Sequence, residues 1–288
     1  MANDSSLLTA PLPRPMLYVG VPLAGLLLTS FFIFMGFPYH ELGERLSHEL
    51  EQSTGVQITF VDFGPHLGLL GPGLSAAGVD ARLSDGQELH IDRLVLRAGW
   101  SLQWLRMRPV IHIDLESPLG AIQGNAILGS ARGWDGTLRE VQIAKIPFAT
   151  ASTGLEIEGT VDADVDLLVG ESGADGTLRF EIREGFVAHE QLPVGIPYKT
   201  MRGELQLGGE QLAVVESFEI DSPVVSGKIT GNIGRAEQTG ESPLELKGEL
   251  VVRDQATRGL FQRMGIRFDA EGKASVEIGG KLSQPRFL

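Results

Sequence analysis

Residues 155–169 read LEIEGTVDADVDLLV, an almost unbroken alternation of apolar and polar side chains. Leu155, Ile157, Gly159, Val161, Ala163, Val165, Leu167 and Val169 fall on one side. Glu156, Glu158, Thr160, Asp162, Asp164 and Asp166 fall on the other. A period of two belongs to a β-strand, whose successive side chains point to opposite faces. The stretch therefore predicts one long half-buried strand, or two strands with a bend near Gly159.

The same alternation recurs on both sides of it. It appears in Ile111, Ile113 and Leu115, then in Val225, Gly227, Ile229, Gly231 and Ile233. It returns in Leu244, Leu246, Gly248, Leu250 and Val252, and finally in Ala274, Val276 and Ile278. Gly, Asp, Asn and Pro clusters separate the runs, as an antiparallel meander requires. The chain has 37 glycines, nearly twice the usual share of about 7%. Spread through the sequence, they suit many strands joined by tight turns. Asp135-Gly136-Thr137-Leu138-Arg139 recurs as Asp175-Gly176-Thr177-Leu178-Arg179. Each copy opens an alternating run and reads as a turn feeding a strand.

Helical patterning is confined to short pieces. Residues 41–53 place Leu42, Leu46 and Leu50 on one stripe, with Gly55 as a stop. The polar face of that helix is acidic, so its stripe is expected to meet the protein's own core rather than a bilayer. Residues 100–105 and Asp254 to Met264 predict two further helices, the second N-capped by Asp254. Without a clear linker, residues 38–288 read as one continuous β-rich domain.

Upstream of it, Met16 to Phe37 is uncharged, and about 20 residues of helix cross a hydrocarbon core. A secretory signal is shorter, at roughly 7–15 apolar residues, and ends in a small-x-small site. Gly36-Phe37-Pro38-Tyr39 lacks that pattern, so a retained signal anchor is expected. Arg14 before the span, with His40, Glu41 and Glu44 after it, favours residues 1–15 as a cytoplasmic tail. Tyr18 and Tyr39 stand where interfacial aromatic belts occur. The bulk of the chain would then lie in the periplasm of a two-membrane bacterium.

Composition narrows the chemistry. A formal charge of −13 argues against nucleic acid, which needs clustered Lys and Arg. The chain has no cysteine, which removes disulfides and thiol catalysis. His48-Glu49 opens like a zinc-protease helix, but residue 52 is Gln. Asp162, Asp164 and Asp166 open like a calcium loop. Its sixth and twelfth places are Leu167 and Gly173 rather than Gly and Glu, so the wet face of a strand is the expected reading. There is no Gly-x-Ser-x-Gly elbow and no phosphate loop. No catalytic, cofactor or metal residue is therefore expected, and the chain is read as a binding protein rather than an enzyme.

A sheet so regularly one-sided must cover its apolar face. It either closes as a barrel or sandwich, or curls into an open trough for an apolar ligand. For a trough, Leu155, Ile157, Val161, Val165 and Leu167 are the candidate lining. The plainer reading makes them ordinary core.

Several segments, in order, carry a family resemblance. They are Gly55-Val-Gln-Ile-Thr-Phe-Val-Asp-Phe63, Gly71-Pro72-Gly73-Leu74, Leu89-His-Ile-Asp-Arg-Leu94, and Met107-Arg108-Pro109. Ser217-Phe-Glu-Ile-Asp-Ser-Pro223 then leads into Val224-Val-Ser-Gly-Lys-Ile-Thr-Gly231. This order resembles the type II secretion system protein N family, itself similar to AsmA-like periplasmic proteins. The resemblance implies an inner-membrane anchor, an elongated, curled antiparallel sheet with a few short helices, and other secretion-system inner-membrane proteins as partners. Its AsmA-like side implies phospholipid as a further ligand and lipid transfer as the alternative function. It implies no catalytic residue.

Overall fold

The computed structural model describes residues 16–68, 71–83, 88–99, 108–129, 132–145, 155–170, 173–189, 195–209, 211–236, 239–263 and 265–287. The expected tail over 1–15 and the expected helix over 100–105 lie outside them.

The chain enters through a π-helical turn, Met16–Gly20, that runs into α1 (Val21–Met35). From Tyr18 to Met35 this is one helix long and apolar enough to span a membrane, and none of it is buried inside the protein. Gly36 ends it, donating its N–H to the Phe32 carbonyl at 2.9 Å. Tyr39 stands just past the end of the apolar helix. It is buried at the elbow, with its ring 5.8 Å from Phe34 and 5.3 Å from Phe37. Its hydroxyl donates to the Phe34 carbonyl at 2.6 Å, satisfying an acceptor that the helix end leaves open.

The second helix, α2 (Tyr39–Thr54), starts two residues earlier than the leucine spacing suggests. Gly55 closes it at φ 72, a left-handed conformation cheap only for glycine, and donates to Glu51 O at 2.9 Å. Leu42 and Leu46 are half-buried, and the helix packs on the first strand.

Among the described residues fifteen strands follow in one sheet, every pairing antiparallel. The first half comprises β1 (Gln57–Gly68), β2 (Gly71–Arg82), β3 (Glu88–Ala98), β4 (Val110–Ser117), β5 (Gly120–Ile127), β6 (Arg132–Gln142), β7 (Leu155–Ile157) and β8 (Thr160–Gly170). Then come β9 (Gly173–His189), β10 (Ile196–Leu207), β11 (Gln211–Asp221), β12 (Val225–Gly234), β13 (Pro243–Val252), β14 (Lys273–Lys281) and β15 (Gln284–Phe287). Spatial order follows chain order, except that β7 pairs off the path with the far end of β9. Among the described residues the two outermost strands, β1 and β15, each have one neighbour, so the sheet is open and is not a barrel.

Stretch 155–169 is thus two strands rather than one. They part at Gly159 (φ 142), whose Cβ position would lie 2.7 Å from the Tyr198 hydroxyl. The two Asp-Gly-Thr-Leu-Arg copies stand inside β6 and β9, flanking β8, rather than at turns. Glycine likewise serves mid-strand as well as in turns. Gly203, for example, lies beneath the Phe180 ring, where a Cβ would come within 2.4 Å of Cζ.

One further helix, α3 (Gln255–Arg263), interrupts the meander between β13 and β14. Asp254 caps it as expected, accepting from Thr257 N and Oγ1 at 2.7 Å each. These hydrogen bonds hold the Asp254 carboxyl below its usual range. Phe261 is buried with Val225, Leu250, Val252, Ile266, Ala274 and Val276, a compact core at the C-terminal end of the sheet.

Candidate functional site: one continuous apolar face

Directly paired residues of an antiparallel ladder share a face. Following the pairs from β1 across the sheet traces one row: Phe63, Ala76, Leu94, Leu115, Ile122, Leu138, Ala163, Phe180, Gly203, Phe218, Ile229, Gly248 and Val276. No polar side chain interrupts it. The neighbouring row runs from Pro65 through Leu74, Leu96, Ile113, two glycines, Val165, Leu178, Leu205, Val215, Gly231, Leu246 and Ile278 to Phe287. At about 4.8 Å between strands, each row extends on the order of 60 Å.

Most of these side chains are half-buried rather than buried: Leu138, Val165, Leu178, Leu205, Leu246 and Ile278 among them. In a sandwich such residues would be covered by a second sheet. Among the described residues, α2 packs at the β1 end of this face and α3 at the β13 end. Between them the face is partly open.

Of the five residues expected to line a trough, Val161, Val165 and Leu167 share this face on β8, each half-buried. Ile157 and Val161 join a local core around Ile182, Tyr198 and Met201. Leu155 is in β7 opposite His189, and its side chain lies outside the described residues. So the five divide: two pack into a core, and two lie on the more open part of the face.

Between the two rows a register shift in β11 lets Val215 and Phe218, three apart, share the face, and two left-handed residues do the same further along β6 and β9. Leu138 and Val141 are three apart, yet both meet β8 on its apolar face, because Glu140 takes the left-handed conformation (φ 53). Ile182 and Val187 are five apart and reach the same core across Glu184 (φ 50). These are the non-glycine residues with positive φ among those described. On the polar side Glu140 borders a cleft of about 610 Å³ with Glu116, Ser117, Arg139, Asp162 and Arg183, and both glutamates border its neighbour of about 460 Å³. There Asp162 Oδ1 accepts from Glu140 N at 2.9 Å, and Oδ2 accepts from Arg183. Asp164 pairs with Arg139 at 3.1 Å.

The polar face is therefore laced by cross-strand ion pairs. Arg179–Glu204 (2.7 Å), Arg202–Glu181 (3.1 Å), Lys228–Glu219 (2.8 Å) and Lys247–Glu277 (3.1 Å) each join directly opposite residues. Asp162 and Asp164 of β8 serve this lacing. Among the described residues, no group of three or more His, Asp or Glu could hold a metal.

Sequence reasoning missed the bulge glutamates, Tyr198 and the glycine–aromatic pairing. The step of three from Leu138 to Val141 was the one signal for the first. No family model matches the chain, and no curated protein or solved structure matches it either.

Proposed function

We propose that this protein is an inner-membrane-anchored periplasmic component of the type II protein secretion system, acting by binding rather than by catalysis. One observation carries the reading: a helix long and apolar enough to span a membrane leads within three residues into α2, which seats directly on a single open, one-sided sheet. Such an arrangement holds a broad binding surface at a fixed place beside the membrane. The order of segments shared with the type II secretion system protein N family supports the choice of machinery. The test is the secreted proteome of a strain lacking the gene. Loss of a defined set of exported proteins, with an intact outer-membrane barrier, is expected. Unchanged secretion would overturn the assignment.

A second reading is favoured by the half-buried state of the apolar rows, which suits acyl chains of a phospholipid. It predicts that the full chain, extracted in mild detergent, retains phospholipid in native mass spectra. A lipid-free spectrum from protein that remains folded would refute it.

A further inference from the structure

β1 is an edge strand along its whole length. Among the described residues its one partner is β2, which pairs with eleven of its twelve residues, all but Val61, whereas the opposite edge is blunted by a strand of four residues containing Pro285. Long open edges invite another strand, and native proteins ordinarily cover or disrupt them.

Between α2 and β1 runs a groove of about 530 Å³. On the helix side it is lined by His40, Gly43, Glu44, Ser47, His48 and Glu51, a single stripe at helical spacing. On the strand side it touches every residue from Gln57 to Phe63. A groove lying on one face of a strand meets alternate residues, so contact with the four consecutive residues Gln57 to Phe60, where the alternation is regular, means that it follows the backbone edge. Val61, in the middle of this stretch, is 80% exposed. A helix wall beside an open strand edge is the shape in which peptide-binding domains take up an extended segment as one more strand.

Charge restricts the occupant. The lining carries Glu44, Glu51 and Asp62, with no Lys or Arg. A second copy of this chain would bring the same three carboxylates against themselves. We infer that the α2–β1 groove binds an extended, Lys- or Arg-bearing segment of a different polypeptide, which adds to the sheet alongside β1. The inference stands whether or not the secretion reading does. The slot begins directly after the membrane helix, within reach of the membrane-proximal segment of another anchored protein.

The test uses the full chain in neutral detergent and a fluorescent heptapeptide of alternating Lys and Val, read by anisotropy. Three comparison peptides accompany it: one with Glu in place of Lys, and two bearing backbone N-methyl groups on one or the other set of alternate residues. Binding is expected for the Lys peptide, at least tenfold weaker binding for the Glu peptide, and a similar loss for one N-methylated peptide. That last loss reports main-chain pairing, because N-methylation leaves side chains and charge unchanged. Glu44→Lys with Asp62→Lys should weaken the Lys peptide at least tenfold without altering the circular dichroism. Equal binding of all the peptides, or of both N-methylated forms and their parent, would overturn the proposal without need of any variant. So would a detergent-solubilised dimer that the double variant dissociates, which would assign the groove to a second copy.

Discussion

Tyr198 is buried at the seam where β7 ends and β8 begins, and its hydroxyl donates to the Glu158 carbonyl. Burial first, and the nearby Glu158 charge second, push its phenol up from 10.0 to about 12. The bond ties together the two halves of the stretch that a bend at Gly159 would otherwise leave loose. Tyr198→Phe should cost about 1 kcal/mol, the net worth of one such hydrogen bond, and lower the melting temperature by a few degrees. The sign of the pH effect follows from the raised pKa. The phenol's contribution is complete below about pH 10 and is lost as pH rises towards about 12. The variant should therefore show a flatter stability profile over that window, measured by thermal denaturation of the full chain in detergent. An identical profile in both proteins would mean that the hydroxyl contributes nothing to the seam.

Strand β8 shows how one alternating element serves two environments. Its start, at Val161, packs with Ile182, Tyr198 and Met201, whereas Leu167 lies further along the more open face. A carboxylate introduced into the local core has no partner there, so Val161→Asp should cost on the order of 2 kcal/mol or more. Leu167→Asp should cost less than half as much, and its effect should fall on ligand retention instead. Chemical denaturation and native mass spectrometry of the two variants check both arms, and equal destabilisation would mean that the whole face is closed core. Alternation was legible in the sequence because period two is a local property: β8, β13 and β14 could be read directly from it. The division of β8's face was not, because burial depends on which strand lies alongside. Glycine was misleading for the same reason. Gly203 reads as a turn residue until Phe180 is known to be its neighbour across the ladder. Helix α2 and the Asp254 cap were legible because their signals, a leucine stripe and a capping side chain, are contained within one turn or a few.

Across the whole molecule, each strand pairs only with those beside it, and spatial order repeats chain order almost throughout. Such a sheet resembles a stack of repeats, in which stability is a sum of local terms and neighbour contacts rather than the property of one core. The buried clusters are correspondingly local. One lies under α3 across β12, β13 and β14; the other joins β9 and β10. In the first, Val252 has no exposed surface, while the apolar residues of β4 and β5 beyond Val110 are half-buried. Backbone amides exchange through local opening wherever the cost of opening is below that of global unfolding. Amides of β4 and β5 are therefore expected to exchange at least tenfold faster than those of β13, which lies under α3 in the buried C-terminal core. Phe261→Ala, which empties a buried ring site and should cost about 3 kcal/mol, should accelerate exchange in β12, β13 and β14 and leave β4 and β5 unchanged. Hydrogen exchange of the full chain, resolved by peptide mass spectrometry, measures both. If every strand instead lost protection together in the variant, the sheet would be one cooperative unit. The open middle of the apolar face could not then rearrange around a ligand without unfolding its ends. Independent exchange would leave that middle free to adapt while α2 and α3 hold the two ends fixed.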